Sequence, residues 1–206
     1  VETSNQKLEQ LHQSSQDPVV LHYLRRLDHL VEYYTRKDIT ILDLGAGVGD
    51  LYANLEFDPS SRLVLVDFVQ DYISVAQARL SKRFRSIETV VADIRSWHYG
   101  NESADLIICI NVLPYLVDLR QFFTLVAGLL KPDGSCYLVY PSRSLVWEET
   151  FEGIKIIFHN PITVNDIALQ CGLSYTGGTR IGFKMPLTFG LLRIYISQLV
   201  VFRRIK

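Results

Sequence analysis

Apolar residues fall in short continuous runs through the middle of this 206-residue chain. The runs lie at Ile39–Leu44, Arg62–Asp67, Glu88–Ala92, Asp105–Ile110 and Ser135–Tyr140. Continuous apolar runs of this length are typical of strands that are covered on both faces, as parallel strands are. We therefore predict five buried strands in this part of the chain.

Helical patterns separate these strands, with a short helix after the first and longer ones at Gln70–Phe84 and Leu119–Leu130. Strands that alternate with helices form parallel sheets with right-handed crossovers. The sequence therefore predicts an α/β fold, a doubly wound and mostly parallel seven-stranded sheet with helices on both faces. An antiparallel C-terminal hairpin, at Leu173–Arg180 and Tyr195–Arg203, supplies its last two strands.

The first part of the chain has a different pattern. Residues Pro18–Arg36 place apolar side chains at helical spacing opposite a charged face, which predicts an amphipathic helix. This helix either packs on the sheet or closes over a ligand as a lid. We expect a single domain at 1–206, with an N-terminal helical cap at 1–37, a cofactor-binding core at 38–141 and a substrate-side insert with the C-terminal strands at 142–206.

Residues typical of turns and helix ends recur in the later part of the chain. Residues 131–134 (KPDG) predict a turn before the fifth strand, and residues 181–194 predict a loop within the hairpin. Thr163 and Asp166 fit a capping box, which predicts a helix start at Thr163. Its stop signal is Gly172.

The first predicted strand leads directly into a glycine-rich turn. Asp43 is followed by Gly45, Gly47 and Gly49, where a helix begins. Backbone without Cβ atoms can approach a small ligand closely, so this junction predicts a nucleotide-type cofactor pocket. A dinucleotide fingerprint needs its third glycine at position 50, where Asp50 would instead repel a pyrophosphate. NAD is therefore disfavoured, and a phosphate-free adenosine cofactor that carries a positive charge fits better.

Acidic residues follow three consecutive predicted strands. Asp43 closes the first strand, Asp67 closes the second and Asp93 follows the third. The C-terminal ends of parallel strands meet at one edge of the sheet, where ligands bind. A carboxylate about twenty residues past the glycine loop can accept hydrogen bonds from ribose hydroxyls, which is the role predicted for Asp67. Taken singly, each acid also fits a helix cap or a turn.

These motifs resemble those of the class I S-adenosylmethionine (SAM)-dependent methyltransferases, a Rossmann-like family whose first motif is an acid followed by x-G-x-G-x-G. Residues 43–49 match it at every fixed position, and residues 129–134 (LLKPDG) resemble the family's L-L-K-P-G-G turn. The resemblance covers about Ile39–Pro141. It implies SAM as the cofactor, S-adenosylhomocysteine (SAH) as its product, and methyl transfer as the activity.

The resemblance also implies a set of cofactor contacts. Asp93 would bind the exocyclic amine of adenine, the backbone amide of Ile94 would meet the ring, and Phe68 would lie against its face. Residues that follow the fourth strand would lie beneath the methionine part and face the substrate. The implied cofactor-binding residues are Asp43, Gly45, Ala46, Gly47, Asp67, Phe68, Asp93, Ile94, Asn111 and Val112.

Methyl transfer from a sulfonium is a displacement on an activated carbon, so positioning and desolvation supply much of the rate. A base is needed only where the acceptor must lose a proton, and we assign no catalytic base. Tyr115, His159 and Tyr23 are candidate substrate residues, and each also fits a structural role. The N-P-P-Y motif of amino-group methyltransferases is absent, because Tyr115 follows Asn111 at the wrong spacing with a single proline.

The balance of 21 Lys+Arg against 22 Asp+Glu gives a net charge of -1, so no global basic field attracts nucleic acid or an anionic membrane. The basic groups at 82–85 and 203–206 lack interleaved aromatics and are interpreted as solvated surface. Three cysteines without regular spacing predict neither disulfides nor a metal site, which favours a reducing, cytoplasmic compartment. No apolar segment is long enough to span a bilayer.

The predicted function is therefore SAM-dependent methylation of a small-molecule substrate, with nucleic acid an unlikely partner. Two alternatives stay open: an RNA or protein methyltransferase, and a non-catalytic SAM-binding domain of a larger assembly. The chain begins at Val1, which fits a processed form or part of a longer protein. The acceptor and the oligomeric state are not predicted.

Overall fold

A computed structural model describes residues 33, 35–99, 103–142, 147–151, 154–187 and 190–205. The five predicted strands are present as β1 to β5. The predicted burial is wrong for β3, which is an edge strand with partly exposed side chains. In chain order the elements are β1 (Thr40–Leu44), α1 (Asp50–Asn54), β2 (Arg62–Asp67), α2 (Gln70–Leu80), β3 (Ser86–Val91), β4 (Ala104–Ile110), a 3-10 turn (Leu113–Tyr115), α3 (Leu119–Leu129), β5 (Leu130–Pro141), β6 (Trp147–Phe151), β7 (Ile154–Phe158), α4 (Pro161–Gln170), β8 (Leu173–Leu187) and β9 (Gly190–Arg204).

Within the described ranges, seven strands form one sheet in the order β3-β2-β1-β4-β5-β9-β8. Strands β1 to β5 pair in parallel, and β9 lies antiparallel between β5 and β8. The strand order reverses at β1, where Asp43 lies opposite Leu65 of β2 and Ile108 of β4. Ligands bind at such a switch point in doubly wound sheets. The predicted mostly parallel sheet with an antiparallel C-terminal hairpin is confirmed.

Helices cover both faces of the sheet, because successive side chains of a strand point to opposite sides. In β1, Ile41 packs in a buried cluster with α1 and α2, whereas Leu42 packs in a second cluster with α3 and α4. Both side chains are fully buried, and each such burial stabilises the fold by about 1.5–3 kcal/mol. The continuous apolar runs therefore supply two cores, and the doubly wound prediction is confirmed.

Helix α2 is shorter than predicted and ends at Leu80 rather than Phe84. The chain turns here instead, and the backbone N–H of Arg83 donates to the Leu80 carbonyl at 2.9 Å. The Arg83 guanidinium donates to the carbonyls of Tyr52 and Leu55 at the end of α1. These long-range bonds hold the turn against α1, which explains why helical periodicity overestimated the length of α2.

Helix α4 begins earlier than the capping box predicted. The Asn160 side chain accepts a hydrogen bond from the Ile162 backbone N–H at 2.8 Å, and Pro161 occupies the first helical turn. Proline fits there because its ring fixes φ and its missing N–H is not needed. The predicted start at Thr163, with Asp166 in the capping-box position, is therefore wrong.

Two predicted loops belong to strands. Residues 131–134 lie within β5, where the register slips: Ala104 is opposite Leu130, and Leu106 is opposite Ser135. Strand β8 continues to Leu187, so the predicted loop at 181–194 is wrong over most of its length. Glycine and proline in this segment predicted a loop, yet β8 lies at the sheet edge, where such residues are tolerated.

The insert after β5 contains a short hairpin that the sequence did not predict. Strands β6 and β7 pair antiparallel as a separate two-stranded sheet. The predicted helix at Pro18–Arg36 lies mostly outside the described residues. Within it Tyr33 is buried, and its ring meets that of Tyr137 edge-on at 6.0 Å. Among the described helices, none has the length and apolar character needed to cross a membrane.

Candidate functional site

The glycine loop connects β1 to α1 at the switch point of the sheet. Gly45, Gly47 and Gly49 have φ values of 84°, 53° and 75°, a left-handed region that glycine adopts without strain. The N–H groups of Gly45 and Ala46 donate to the Val66 carbonyl at 2.8 and 3.1 Å. The loop is therefore held against the end of β2, next to the predicted ribose-binding acid.

Gly45 also marks a close approach between two predicted parts of the site. A Cβ atom at this position would lie 2.2 Å from Cγ2 of Val112, which follows β4. A Cβ at Gly47 would meet nothing within 4 Å among the described residues. The structure thus brings the loop and Val112 together and leaves open space beside Gly47.

The Asp67 side chain is fixed by two backbone N–H groups. Its Oδ2 accepts from Gly47 at 2.9 Å, and its Oδ1 accepts from Val69 at 3.0 Å. Asp67 is buried, so these bonds are shielded from solvent. An ionised carboxylate has about four lone-pair positions, so each oxygen can accept one further hydrogen bond.

Asp43 lies beneath the loop in β1 and is only 4% exposed. Burial raises its pKa to about 7, the neighbouring Tyr52 hydroxyl lowers it, and the negative charge of Asp67 raises it further. The site therefore holds a desolvated carboxylate beside a second acid. A ligand cation placed here would stabilise the charged form of Asp43.

The third acid, Asp93, lies two residues beyond β3, beside Ile94. Its carboxylate is paired with Arg95, which lowers the pKa of Asp93. Phe68 follows Asp67 and is 75% exposed, so its ring is available to a planar ligand. The structure places these groups at the same edge of the sheet as the glycine loop.

The acceptor side follows β4. Asn111 adopts a left-handed conformation with φ 59°, and its N–H donates to the Val139 carbonyl at 2.8 Å. Tyr115 lies on the 3-10 turn and is 51% exposed. Among the predicted substrate residues, Tyr23 lies outside the described residues.

His159 follows β7, and its side chain is buried. Its Nε2 lies 3.0 Å from the Leu113 carbonyl oxygen and 3.1 Å from that of Leu116. Because both partners are acceptors, Nε2 carries the proton and donates to them. Burial lowers the pKa of His159, which favours this neutral form. The imidazole joins the insert to the turn that bears Tyr115, and its predicted substrate contact stays a prediction.

Two neighbours of these acids were missed by the sequence prediction. Tyr52 lies on the buried face of α1 close to Asp43, and Arg95 lies two residues after Asp93. Helical spacing after Gly49 is a signal that points to Tyr52, since it places that residue on the sheet side of α1. Arg95 has a weaker signal, because many acids in turns have a basic residue nearby.

A groove of about 680 Å³ lies between the residues after β3 and helix α3. Trp97 and Tyr99 line it as a stacked pair with ring centroids 5.3 Å apart, and Ile94 lines its end. The described residues of the connection from β3 to β4 contain no helix. Sequence patterns predicted no such surface. Among the described residues, no cluster of three or more potential metal ligands is present.

Comparison with known proteins gives matches to methyltransferases. Residues 41–134 match the family model of a methyltransferase domain. An uncharacterized protein of Methanocaldococcus jannaschii is 31% identical over 143 residues, which cover 68% of this chain and 58% of that protein. An uncharacterized methyltransferase of Schizosaccharomyces pombe is 26% identical over 120 residues, covering 57% of this chain and 46% of that protein. The chain thus spans about half the length of these curated relatives.

Solved structures share the fold. A SAM-dependent methyltransferase from Clostridium acetobutylicum superposes with a TM-score of 0.72 at 14% identity, covering 99% of this chain and all of the other. One from Leishmania major gives 0.74 at 15% identity, covering 91% of this chain and 74% of the other. Residues 41–134 therefore match a methyltransferase domain, and the chain shares the fold of SAM-dependent methyltransferases.

Proposed function

We propose that this protein binds SAM at the C-terminal edge of β1 to β4 and transfers its methyl group to a small molecule. The observation that carries the proposal is the Asp67 carboxylate, which is held by Gly47 and Val69 yet keeps one accepting position on each oxygen. Two adjacent ribose hydroxyls supply the two donors that such a carboxylate needs.

The other groups at this edge fit the remaining parts of SAM. Asp43 is a buried acid whose charged form needs a cation, and SAM carries positive charge on its sulfur and its amino group. Open space beside Gly47 leaves room for the cofactor to approach the loop. The exposed ring of Phe68 can pack against the face of adenine. In this proposal Asp93 binds the exocyclic amine of adenine. The remaining proposed cofactor contacts are Gly45, Ala46, Ile94, Asn111 and Val112.

The bound cofactor would supply a methyl group on a positively charged sulfur, which is already activated for displacement. The protein then has to hold the acceptor in line and exclude water. In this proposal Tyr115, which is half exposed beyond β4, contacts the acceptor. An acceptor with a free lone pair needs no base, and none is assigned.

Two properties support a small-molecule acceptor in a cytoplasmic compartment. The net charge of -1 offers no general attraction for RNA, and the three cysteines are free thiols. Because the curated relatives are longer than the matched region, the substrates and partners of the whole protein are part of this proposal. RNA or protein methylation, and SAM binding without turnover, are alternatives with different experimental outcomes.

Isothermal titration with SAM, SAH and NAD tests the cofactor class. We expect SAM and SAH to bind and NAD not to. Asp67→Ala should weaken SAH binding by at least tenfold, because charge-assisted hydrogen bonds contribute about 1.5–3 kcal/mol each. Asp166→Ala removes an exposed acid on α4 and serves as the matched control. Unchanged SAH affinity in Asp67→Ala would refute the ribose assignment.

Methyl-labelled SAM and fractionated cell extract test the acceptor. The proposal expects label in the small-molecule fraction, and expects it to disappear with Asp67→Ala. Label in RNA or protein would instead support the macromolecular alternative. SAH binding without label in any fraction would support a non-catalytic domain.

A further inference from the structure

The Asp93 carboxylate, which the proposed site assigns to the adenine amine, is already occupied by a neighbouring side chain. Its Oδ1 accepts hydrogen bonds from the backbone N–H and from Nε of Arg95, both at 2.9 Å. Its Oδ2 accepts from Nε at 2.9 Å and from Nη2 at 2.5 Å. Both oxygens share the single Nε–H, so three N–H groups of Arg95 take up most of the about four lone-pair positions of this carboxylate.

The turn that carries this pair is closed by separate bonds. The Asp93 carbonyl accepts from the N–H groups of Ser96 and Trp97 at 3.0 and 2.9 Å. On α3, the Gln121 side chain donates to the Arg95 carbonyl at 2.8 Å. The main chain is thus fixed independently of the guanidinium, and the Arg95 side chain can leave Asp93 by rotation alone.

The exposure of the pair keeps the free-energy cost of this movement small. The side chains of Arg95 and Asp93 are 62% and 38% exposed, so water replaces the lost partners of the guanidinium. Exposed ion pairs contribute about 0.2–1 kcal/mol, which corresponds to at most about a fivefold change in an equilibrium constant. A ligand that offers its own N–H donor can therefore displace Arg95.

We propose that Arg95 is an internal competitor for the adenine amine. Its guanidinium donors occupy Asp93 in the free protein, and they leave when an adenosyl ligand binds, while the backbone N–H of Arg95 keeps its bond to Oδ1. Arg95 thereby sets the affinity of the site and its preference for a base with an exocyclic amine. This inference rests on the proposed function, because it needs adenine at Asp93.

Titration of the full chain with SAH tests the competition. Arg95→Ala should bind SAH about two- to fivefold more tightly than the unsubstituted protein. Arg85→Ala is the matched control. Arg85 is an exposed arginine that precedes β3, so it lies at the opposite end of this strand from Asp93. It removes the same charge and should leave the affinity unchanged. Arg95→Lys, which keeps the charge but loses the planar fork, should lie between them.

Two further readouts separate competition from a structural role. Salt screens the ion pair, so the SAH affinity of the unsubstituted protein should approach that of Arg95→Ala as ionic strength rises. S-inosylhomocysteine carries an oxygen in place of the amine and cannot donate to Asp93. Arg95→Ala should therefore raise the preference for SAH over this analogue about two- to fivefold, whereas a structural role would change both affinities together.

The outcomes are distinct. Equal or weaker SAH binding by a folded Arg95→Ala variant, with normal binding by the unsubstituted protein, overturns the competition and leaves the cofactor site intact. Failure of both proteins to bind SAH overturns the proposed function itself. Thermal unfolding reports whether the variant folds, and if it does not, equal or weaker binding by Arg95→Lys overturns the competition instead.

Discussion

The cofactor edge and the acceptor side of this site are built in different ways. At the cofactor edge, the backbone of a short loop places the groups, and the bond from Gly47 to Asp67 joins residues 20 apart. On the acceptor side, the turn at Leu113–Tyr115 is held by the His159 side chain, which comes from 46 residues beyond Leu113. One region depends on backbone geometry at glycines, and the other depends on one buried side chain.

This difference determines how each region responds to change. Backbone geometry at a glycine tolerates almost no substitution, because a left-handed φ and a close approach leave no place for a Cβ. A turn held by one side chain loses order when that side chain is removed, but the strand before it persists. A substitution at a glycine of the cofactor edge should therefore cause a large loss of stability and of SAH binding. A substitution on the acceptor side should cause a smaller loss.

Gly45→Ala should produce the largest effect. The left-handed backbone costs about 1–2 kcal/mol with a side chain, and the clash with Val112 adds about 1–3 kcal/mol. We expect the free energy of unfolding to fall by about 2–5 kcal/mol and SAH binding to weaken by more than tenfold. Chemical denaturation and titration calorimetry measure the two quantities.

Gly172→Ala is the matched control for this prediction. Gly172 has φ 86°, but a Cβ there would meet nothing within 4 Å among the described residues. It should lose only the backbone contribution of about 1–2 kcal/mol and keep its affinity for SAH. If the two variants behave alike, the close approach of Val112 does not restrict Gly45.

His159→Ala tests the acceptor side. Removal of the buried donor leaves the carbonyls of Leu113 and Leu116 without this partner, which should cost about 1–3 kcal/mol of stability. SAH affinity should change little, because the cofactor edge is built separately. The exposed His98 provides the control, and His98→Ala should be nearly neutral. Lost methylation at unchanged stability would point to a substrate contact of His159 instead.

The same residue gives a pH dependence. Burial lowers the pKa of His159 in the folded protein below its ordinary value of 6.5. The unfolded chain therefore binds more protons below about pH 6.5, and this group destabilises the fold as the pH falls through that range. Urea denaturation at pH 7.5 and pH 5.5 should show a loss that His159→Ala reduces. An equal loss in both proteins would assign the dependence to other groups.

The contrast between the two regions also explains how much the sequence could predict. The five strands β1 to β5, the glycine loop and the positions of Asp43, Asp67 and Asp93 follow from local patterns, because strand length and loop spacing are local properties. The contact of His159 with Leu113, the pairing of β6 with β7 and the groove along α3 depend on distant segments. Local patterns cannot report such contacts.

The errors at element ends have two origins. Pro161 and Asn160 compete with the capping box at Thr163, and the helix starts where both a side-chain cap and a proline fit. Glycine and proline at 181–194 are accepted because β8 is an edge strand, a property of the whole sheet. Competition between local signals therefore explains the error at α4, and tertiary context explains the error at β8.

Protonation of Asp43 offers a smaller and graded test of the cofactor edge. Its pKa is raised to about 7 by burial, with Tyr52 and Asp67 as its polar neighbours. A cationic ligand requires the ionised form, so SAM affinity should fall by up to tenfold for each pH unit below about 7. Calorimetry at pH 6 in buffers of different ionisation enthalpy should detect proton release. Asp43→Asn should bind more weakly and show no such release.

The cofactor-free protein should show the opposite trend in stability. Because the pKa of Asp43 is higher in the folded state than its ordinary value of 3.8, the folded state holds this proton more tightly. Its contribution to stability is complete below about pH 3.8 and is lost as the pH rises through about 7. Asp43→Asn should remove that part of the pH dependence. If Asp43→Asn shows the same dependence of stability on pH as the unsubstituted protein, the folded protein does not hold a proton on a buried Asp43 carboxyl group.

Asn160→Ala should give the smallest effect, and it separates the two possible starts of α4. Loss of the side-chain cap on the Ile162 N–H should cost about 1 kcal/mol. Thr163 is exposed within the helix, so Thr163→Ala should be neutral or slightly stabilising, since alanine is the better helix former. Chemical denaturation measures the free energy of unfolding of both variants and so distinguishes the two starts of α4. A larger loss in Thr163→Ala than in Asn160→Ala would place the helix start at Thr163, where the sequence pattern alone puts it.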